Sequence, residues 1–190
     1  MRYNISENEI KWAEETFALL EKKLSVECDR VGSKMPYIPV DGRYEDMGEK
    51  GITWWTNSFW AGILWQMHKA TGEQKYADAA IGLELRYEDA LTDYFKWDHD
   101  LGFMWLHTGV ANYRLTGDES AKKRSYQAAS YLATRFMPAG NYFRAWNHGD
   151  NSVAIVDCLM NLPLLYWASE ETGNPSWKQL AEKHADTALN

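Results

Sequence analysis

Asp100 and Asp157 hold almost the same place in a repeating unit. Each stands ahead of a Thr-Gly pair, Thr116-Gly117 and Thr172-Gly173, and the two offsets differ by one residue. A third such pair, Thr71-Gly72, has Trp55 at the matching offset. Equal offsets along similar helices set the three side chains on one rim. Two carboxylates there can give and take a proton. An indole beside them offers an apolar face to a ring. That equipment suits chemistry on a sugar.

The elements that must position these residues are helices in alternation. Segments 59–70, 101–115 and 153–168 are apolar nearly all round, which predicts buried inner helices. Amphipathic segments follow each of them. Their faces carry Tyr76, Ala79, Leu83 and Tyr87, then Ala121, Ala128, Leu132 and Phe136, then Trp177, Leu180 and Ala188. Each pair is joined by a Thr-Gly turn, whose glycine suits the left-handed end of a helix. Glu73, Asp118 or Asn174 comes next and suits the start of another. The turns recur roughly every 50 residues, a helix-pair period.

An earlier helix opens on a capping box, Ser6 with Glu9, and carries Ile10, Ala13, Phe17, Leu20 and Leu24 at helical spacing. Residues 28–56 read as a long connection containing Pro36, Pro39, Gly42, Gly48 and Gly51. The predicted fold is therefore all-α. Residues 1–190 form a single partial α/α-barrel domain of about three helix pairs plus an N-terminal helix. A closed toroid of six pairs needs nearly twice this length. The expected object is the N-terminal half of an (α/α)6 barrel, incomplete in this chain, whose last inner helix exposes an apolar flank.

The chemistry collects on the rim opposite the Thr-Gly turns. Connections 92–100 and 138–152 hold Trp97, Asp98, His99, Asp100, Arg144, Trp146, His148 and Asp150. Asp157 sits in the apolar run from Val153 to Pro163. Burial there raises a carboxyl's pKa and makes it a proton donor near neutral pH. The alternative is a buried Asp bonded to backbone left free by Pro163, which has no N–H. Asp100 heads Leu101-Gly102-Phe103-Met104-Trp105 and reads either as that helix's N-cap or as a second acid. Asp98, His99, Asp100, His148 and Asp150 are ligand types for zinc or manganese, but their spacing matches no metal motif. Trp60 and Trp65 read as core. Trp55 and Trp146, at loop-to-helix junctions, read as stacking platforms, with Trp54 beside them. His68, His107 and His184 lie within helices and read as structural or solvated.

Composition narrows the partners. The net charge of −7 argues against nucleic acid and anionic membrane. No apolar run approaches the ~20 residues that span a bilayer. Residues Met1 to Glu7 contain no apolar signal core. Cys28 and Cys158 lack metal-like spacing and read as reduced thiols, so a cytoplasmic protein is expected. The 10 tryptophans and 11 tyrosines exceed what a core of this size requires and point toward carbohydrate.

Four strings carry a family resemblance. They are Trp55-Thr56-Asn57-Ser58-Phe59-Trp60-Ala61-Gly62, His99-Asp100-Leu101-Gly102-Phe103-Met104, Arg144-Ala145-Trp146-Asn147, and the run from Val156 through Asn161 and Pro163 to Ala168. Together they resemble the unsaturated glucuronyl hydrolases, glycoside hydrolase family 88, in order and over nearly the whole chain. The resemblance implies an (α/α)6 barrel. It also implies hydrolysis of oligosaccharides ending in a 4,5-unsaturated glucuronic acid, without a metal or other cofactor. In that reaction an aspartic acid protonates C4 of the vinyl ether and water adds at C5. By resemblance Asp157 gives the proton and then activates water. Asp100 assists and holds sugar hydroxyls, Trp55 and Trp146 border the ring, and His99 lines the pocket. Arg144 is the one nearby cation the sequence offers to the uronate. The alternatives are an unsaturated rhamnogalacturonyl hydrolase, which shares barrel and reaction, and a non-catalytic sugar-binding remnant.

Overall fold

The computed structural model describes residues 5–149 and 153–190. Asp150, named above with the rim residues, lies outside the described residues, as do Met1 to Asn4. Helix α1 (Glu7–Val31) opens on the expected capping box: the Glu9 N–H donates to the Ser6 hydroxyl and the Glu9 carboxylate accepts from the Ser6 N–H. It runs past Cys28, so the connection starts later than expected. That connection contains an antiparallel hairpin, β1 (Pro39–Val40) with β2 (Arg43–Tyr44), and one helical turn, α2 (Met47–Lys50). Ile10, Phe17 and Leu20 on α1 are exposed; only its C-terminal end, through Leu24, Cys28 and Val31, meets the core.

The helix pairs follow. Inner α3 (Phe59–Thr71) packs on outer α4 (Gln74–Leu85). A short turn, α5 (Glu88–Leu91), leads to α6 (Leu101–Trp105), which continues through a π turn (Leu106–Val110) into α7 (Ala111–Thr116). This inner rod packs on outer α8 (Glu119–Ala133). A second hairpin, β3 (Phe136–Met137) with β4 (Tyr142–Phe143), then leads toward inner α9 (Leu162–Thr172) and outer α10 (Pro175–Leu189). Phe136, expected on the helical face of α8, belongs to β3. The α10 face is made by Trp177, Leu180, Ala181 and His184, while Ala188 is exposed.

The last inner helix is shorter than expected. It starts at Leu162 because Pro163 has no N–H and is tolerated only in a helix's first turn. Residues Val156–Met160 form a 3-10 turn instead. The expected apolar flank is correspondingly displaced: Leu162, Leu164, Leu165 and Trp167 are buried, and the exposed apolar side chains are Val156 and Met160 of the turn.

The Thr-Gly repeat has a common physical basis. Gly72, Gly117 and Gly173 all take the left-handed conformation that ends an inner helix. Each preceding threonine hydroxyl donates to the carbonyl four residues back and accepts the N–H two residues on, linking both helices of the pair. Asp118 and Asn174 then cap the outer helices through their side chains. At Gly117 φ is +79°, so Gly117→Ala should cost about 1 kcal/mol of stability although nothing crowds the added methyl. Urea denaturation checks this.

Candidate active site

The rim is held together from behind by Arg135, which is fully buried. Its guanidinium donates to the carbonyls of Ala145 (2.7 Å), Trp97 (3.1 Å) and Arg144 (3.1 Å) and to Asn147 Oδ1 (2.8 Å). Asn147 Nδ2 donates in turn to the Trp97 carbonyl at 2.7 Å. The His99 N–H donates to the Ala145 carbonyl at 3.0 Å. Two connections distant in sequence, one carrying His99 and Asp100 and the other Trp146, are thus clamped side by side. Arg135→Lys keeps the charge but loses the planar fork that reaches several acceptors. It should cost roughly 2 kcal/mol, measured as a lower urea midpoint at unchanged slope.

Trp97 is not a rim group. It is buried, its Nε1 donates to the Ala90 carbonyl at 2.9 Å, and its ring meets Tyr87 and Trp105. Trp60 and Trp65 are core as expected, and His184 is structural, accepting from the Phe143 N–H at 3.1 Å.

In front of the clamp three ionisable groups meet. His99 is fully buried, with Nε2 at 3.3 Å from Asp100 Oδ1 and 3.8 Å from Asp157 Oδ1. Neither ring nitrogen completes a hydrogen bond. Burial holds the imidazole's pKa well below its usual value, against the pull of the Asp157 charge, so His99 is neutral at pH 7.

Asp100 is the buried acid of the pair, its side chain 13% exposed. Burial first, and then the Asp98 and Asp157 charges, push its pKa up to about 7. It occupies the N-cap position of α6, yet its carboxyl makes no capping bond. Its own N–H is taken by Asp98 Oδ1 at 3.0 Å. Asp157 corrects the sequence reading, which put the buried acid there. The 3-10 turn faces it outward, and its side chain is 46% exposed. Its neighbour Cys158 turns inward, and burial pushes that thiol up to about 12, so it is no competing nucleophile.

An aromatic wall adjoins the carboxylates. Phe59 stacks on Phe103 of α6 at 5.5 Å between ring centroids, and half-exposed Trp55 meets Phe59 edge-on at 6.0 Å. Trp54 tilts against Trp55 and meets Tyr37 edge-on. Trp146 is half-exposed and lies nearly parallel to the His148 ring at 6.4 Å.

The chain that carries this layout is similar to known proteins over most of its length. No family model matches the chain. The unsaturated glucuronyl hydrolase of Bacillus sp. (strain GL1) is 38% identical over 161 residues, covering 82% of this chain and 42% of that protein. The unsaturated chondroitin disaccharide hydrolase of Streptococcus agalactiae serotype III (strain NEM316) is 30% identical over 182 residues, covering 93% and 45%. A crystal structure of unsaturated glucuronyl hydrolase from Streptococcus agalactiae superimposes with a TM-score of 0.75 at 30% identity, over 86% of this chain and 42% of that one. This chain belongs to the unsaturated glucuronyl hydrolase family. It spans less than half the length of these relatives, and its helix pairs form an incomplete α/α toroid.

Within this glucuronyl hydrolase scaffold, Arg144 is not brought to the acids. Its guanidinium donates to the Tyr94 hydroxyl at 2.9 Å. The cation whose field reaches Asp100 is Arg135. Among the described residues, the metal set considered from sequence is not brought together as a whole. Asp98 is turned to the Asp100 N–H, His148 lies on Trp146, and Asp150 is outside the described residues. The groups that do converge are His99, Asp100 and Asp157, with one ligand-type atom each within 4.8 Å of the others. That closeness is also what two carboxyls need to share a proton. Sequence reasoning missed Arg135, whose place at the end of an amphipathic helix carries no signal. It passed over Asn161, a polar residue within an apolar run, which was the available signal.

Proposed function

We propose that this chain contributes the proton-transfer site of a hydrolase acting on oligosaccharides that end in a 4,5-unsaturated glucuronic acid. The observation that carries the reading is the asymmetry of the two acids. Asp100 is buried, with its pKa pushed up to about 7, while Asp157 faces open space beside it. A pair this close holds one proton readily and two negative charges poorly.

A sugar bound over Asp157 covers that carboxyl and excludes bulk water from it. Asp157 then protonates C4 as the C4=C5 electron pair takes the proton. The cation at C5 is shared with the ring oxygen. Water attacks C5 and gives a proton back to the Asp157 carboxylate. The C5 hemiketal opens to a ketone, the ring oxygen becomes the hydroxyl of a hemiacetal at C1, and that centre releases the remaining glycan. Asp100 accepts a hydrogen bond from a sugar hydroxyl while Asp157 carries the pair's one proton. Trp55 and Trp146 border the ring, and neutral His99 lines the floor without adding a competing charge. Arg144 stays on its connection, donating to the Tyr94 hydroxyl. No cofactor takes part. Both cysteines are free and buried, which suits a reducing compartment and favours action in the cytoplasm. No helix among the described residues is long and apolar enough to cross a membrane.

The test is the ultraviolet absorbance of an unsaturated chondroitin or hyaluronan disaccharide incubated with the protein. The reading requires a protein-dependent loss of absorbance and, in heavy water, deuterium at C4. Loss without deuterium at C4 refutes the hydration mechanism. A second reading follows from the chain spanning less than half of its relatives. A sugar-binding remnant would show no loss of absorbance, yet the disaccharide would raise its melting temperature.

A further inference from the structure

The rod that begins at Asp100 is capped by the wrong residue. An N-cap side chain ordinarily accepts the N–H two or three residues into its own helix. For α6 the third such N–H belongs to Phe103, and it donates instead to Asn161 Oδ1, at 2.8 Å, across 58 residues of sequence. Asn161 is fully buried. It immediately follows the 3-10 turn that carries Asp157. Its close approach depends on Gly102, where an added Cβ would lie 2.4 Å from the Asn161 Cβ and 2.6 Å from its Cα. The remaining Asn161 amide hydrogens face Asp100. They draw its carboxyl's pKa down against the larger effect of burial, but no hydrogen bond is completed: Asn161 Nδ2 and Asp100 Oδ1 are both buried without a partner.

We infer that Asn161 is a positioning residue: it caps α6 in place of Asp100, leaving the Asp100 carboxyl free to face His99 and Asp157. The inference rests on the proposed function only for what the freed carboxyl then does. The same amide fixes the spacing between the two acids, because it ties the end of the Asp157 turn to the first turn of the Asp100 helix. A carboxylate at an N-cap gains from the helix dipole and from the free N–H groups. Without Asn161, therefore, the Phe103 N–H is the nearest strong donor for Asp100, and the carboxyl turns away from the site to take it.

Two readouts test this, one independent of sugar chemistry. In a crystal structure of Asn161→Ala, the Asp100 carboxyl should have moved to within hydrogen-bond distance of the Phe103 N–H. In Asn161→Asp, which keeps an acceptor for that N–H, the Asp100 carboxyl should stay where it is. That variant also serves if the alanine variant fails to fold. Titration calorimetry with an unsaturated chondroitin disaccharide should show Asn161→Ala weakening binding roughly tenfold or more, the effect of losing a charged group's hydrogen bond. In an Asp100→Ala background the same change should add nothing, whereas a purely structural role would weaken binding in both. The inference is overturned if Asp100 keeps its place in Asn161→Ala, if it leaves its place in Asn161→Asp, or if the two losses add. If the wild-type chain neither binds nor converts the disaccharide, the proposed function fails, and the Asp100 position in the crystals still decides the capping role.

Discussion

Asp157→Asn should lower turnover of an unsaturated glucuronyl disaccharide by about 10³-fold, with a melting temperature close to that of the wild type. The size follows from the role: removing a group that transfers a proton in the transition state costs roughly 10² to 10⁴-fold. Here the same carboxyl is proposed to give a proton to C4 and then take one from water, so the loss is set no lower than the middle of that range. Asn has the same shape and can still donate to the sugar, so the Michaelis constant should change little. Stability should hardly respond because the Asp157 side chain is 46% exposed on a 3-10 turn, not packed in the core. Continuous absorbance assays and thermal melts on the same samples make the check. Full activity in Asp157→Asn would remove Asp157 from the chemistry.

That contrast between the two acids could not be read from the sequence, though much around it could. The helix pairs were legible because three separate signals agree: apolar inner segments, amphipathic outer ones, and a Thr-Gly turn whose glycine must be left-handed. The rim was legible for the same reason, since a repeated turn fixes offsets, and His99, Asp100 and Asp157 do meet there. What misled was reading burial from neighbours in sequence. Asp157 has apolar neighbours, but Pro163 delays the helix, and the 3-10 turn before it sends Cys158 inward and Asp157 outward. Asp100 has a capping position but no capping bond, because the competing acceptor, Asn161, comes from another helix pair. Arg135 was invisible for a related reason: its four acceptors, three of them backbone carbonyls, come from two connections that only the fold brings together. Trp97 looked like a rim residue because it adjoins Asp98 and His99, yet its indole N–H has a carbonyl partner inside the core. Local pattern therefore located the cluster of His99, Asp100 and Asp157, and tertiary contacts decide which of its acids is buried.

The protonation has a thermodynamic consequence that separates Asp100 from Asp157. Asp100→Asn should stabilise the fold at pH 8 by about 4 kcal/mol and leave it nearly unchanged at pH 4. Its pKa rises from an ordinary carboxyl value of 3.8 in the unfolded chain to about 7 in the fold. Below about pH 4 both states hold the proton. Between the two values the fold still holds it while the unfolded chain has released it, so stability falls as pH rises, by about 1.4 kcal/mol per unit. Above about pH 7 both states are ionised, and the wild type carries a constant penalty for a charged, 13% exposed carboxylate near Asp98 and Asp157. Asn carries none at any pH. Other groups also titrate over this range, so the informative quantity is the difference between variant and wild type in urea unfolding at each pH. It should climb from pH 4 and level off above pH 7. A flat difference would mean that Asp100 is not the acid raised by burial. The gain in stability should come with weaker binding of the disaccharide, because the environment that penalises the Asp100 charge is the one that keeps a proton beside Asp157 at neutral pH.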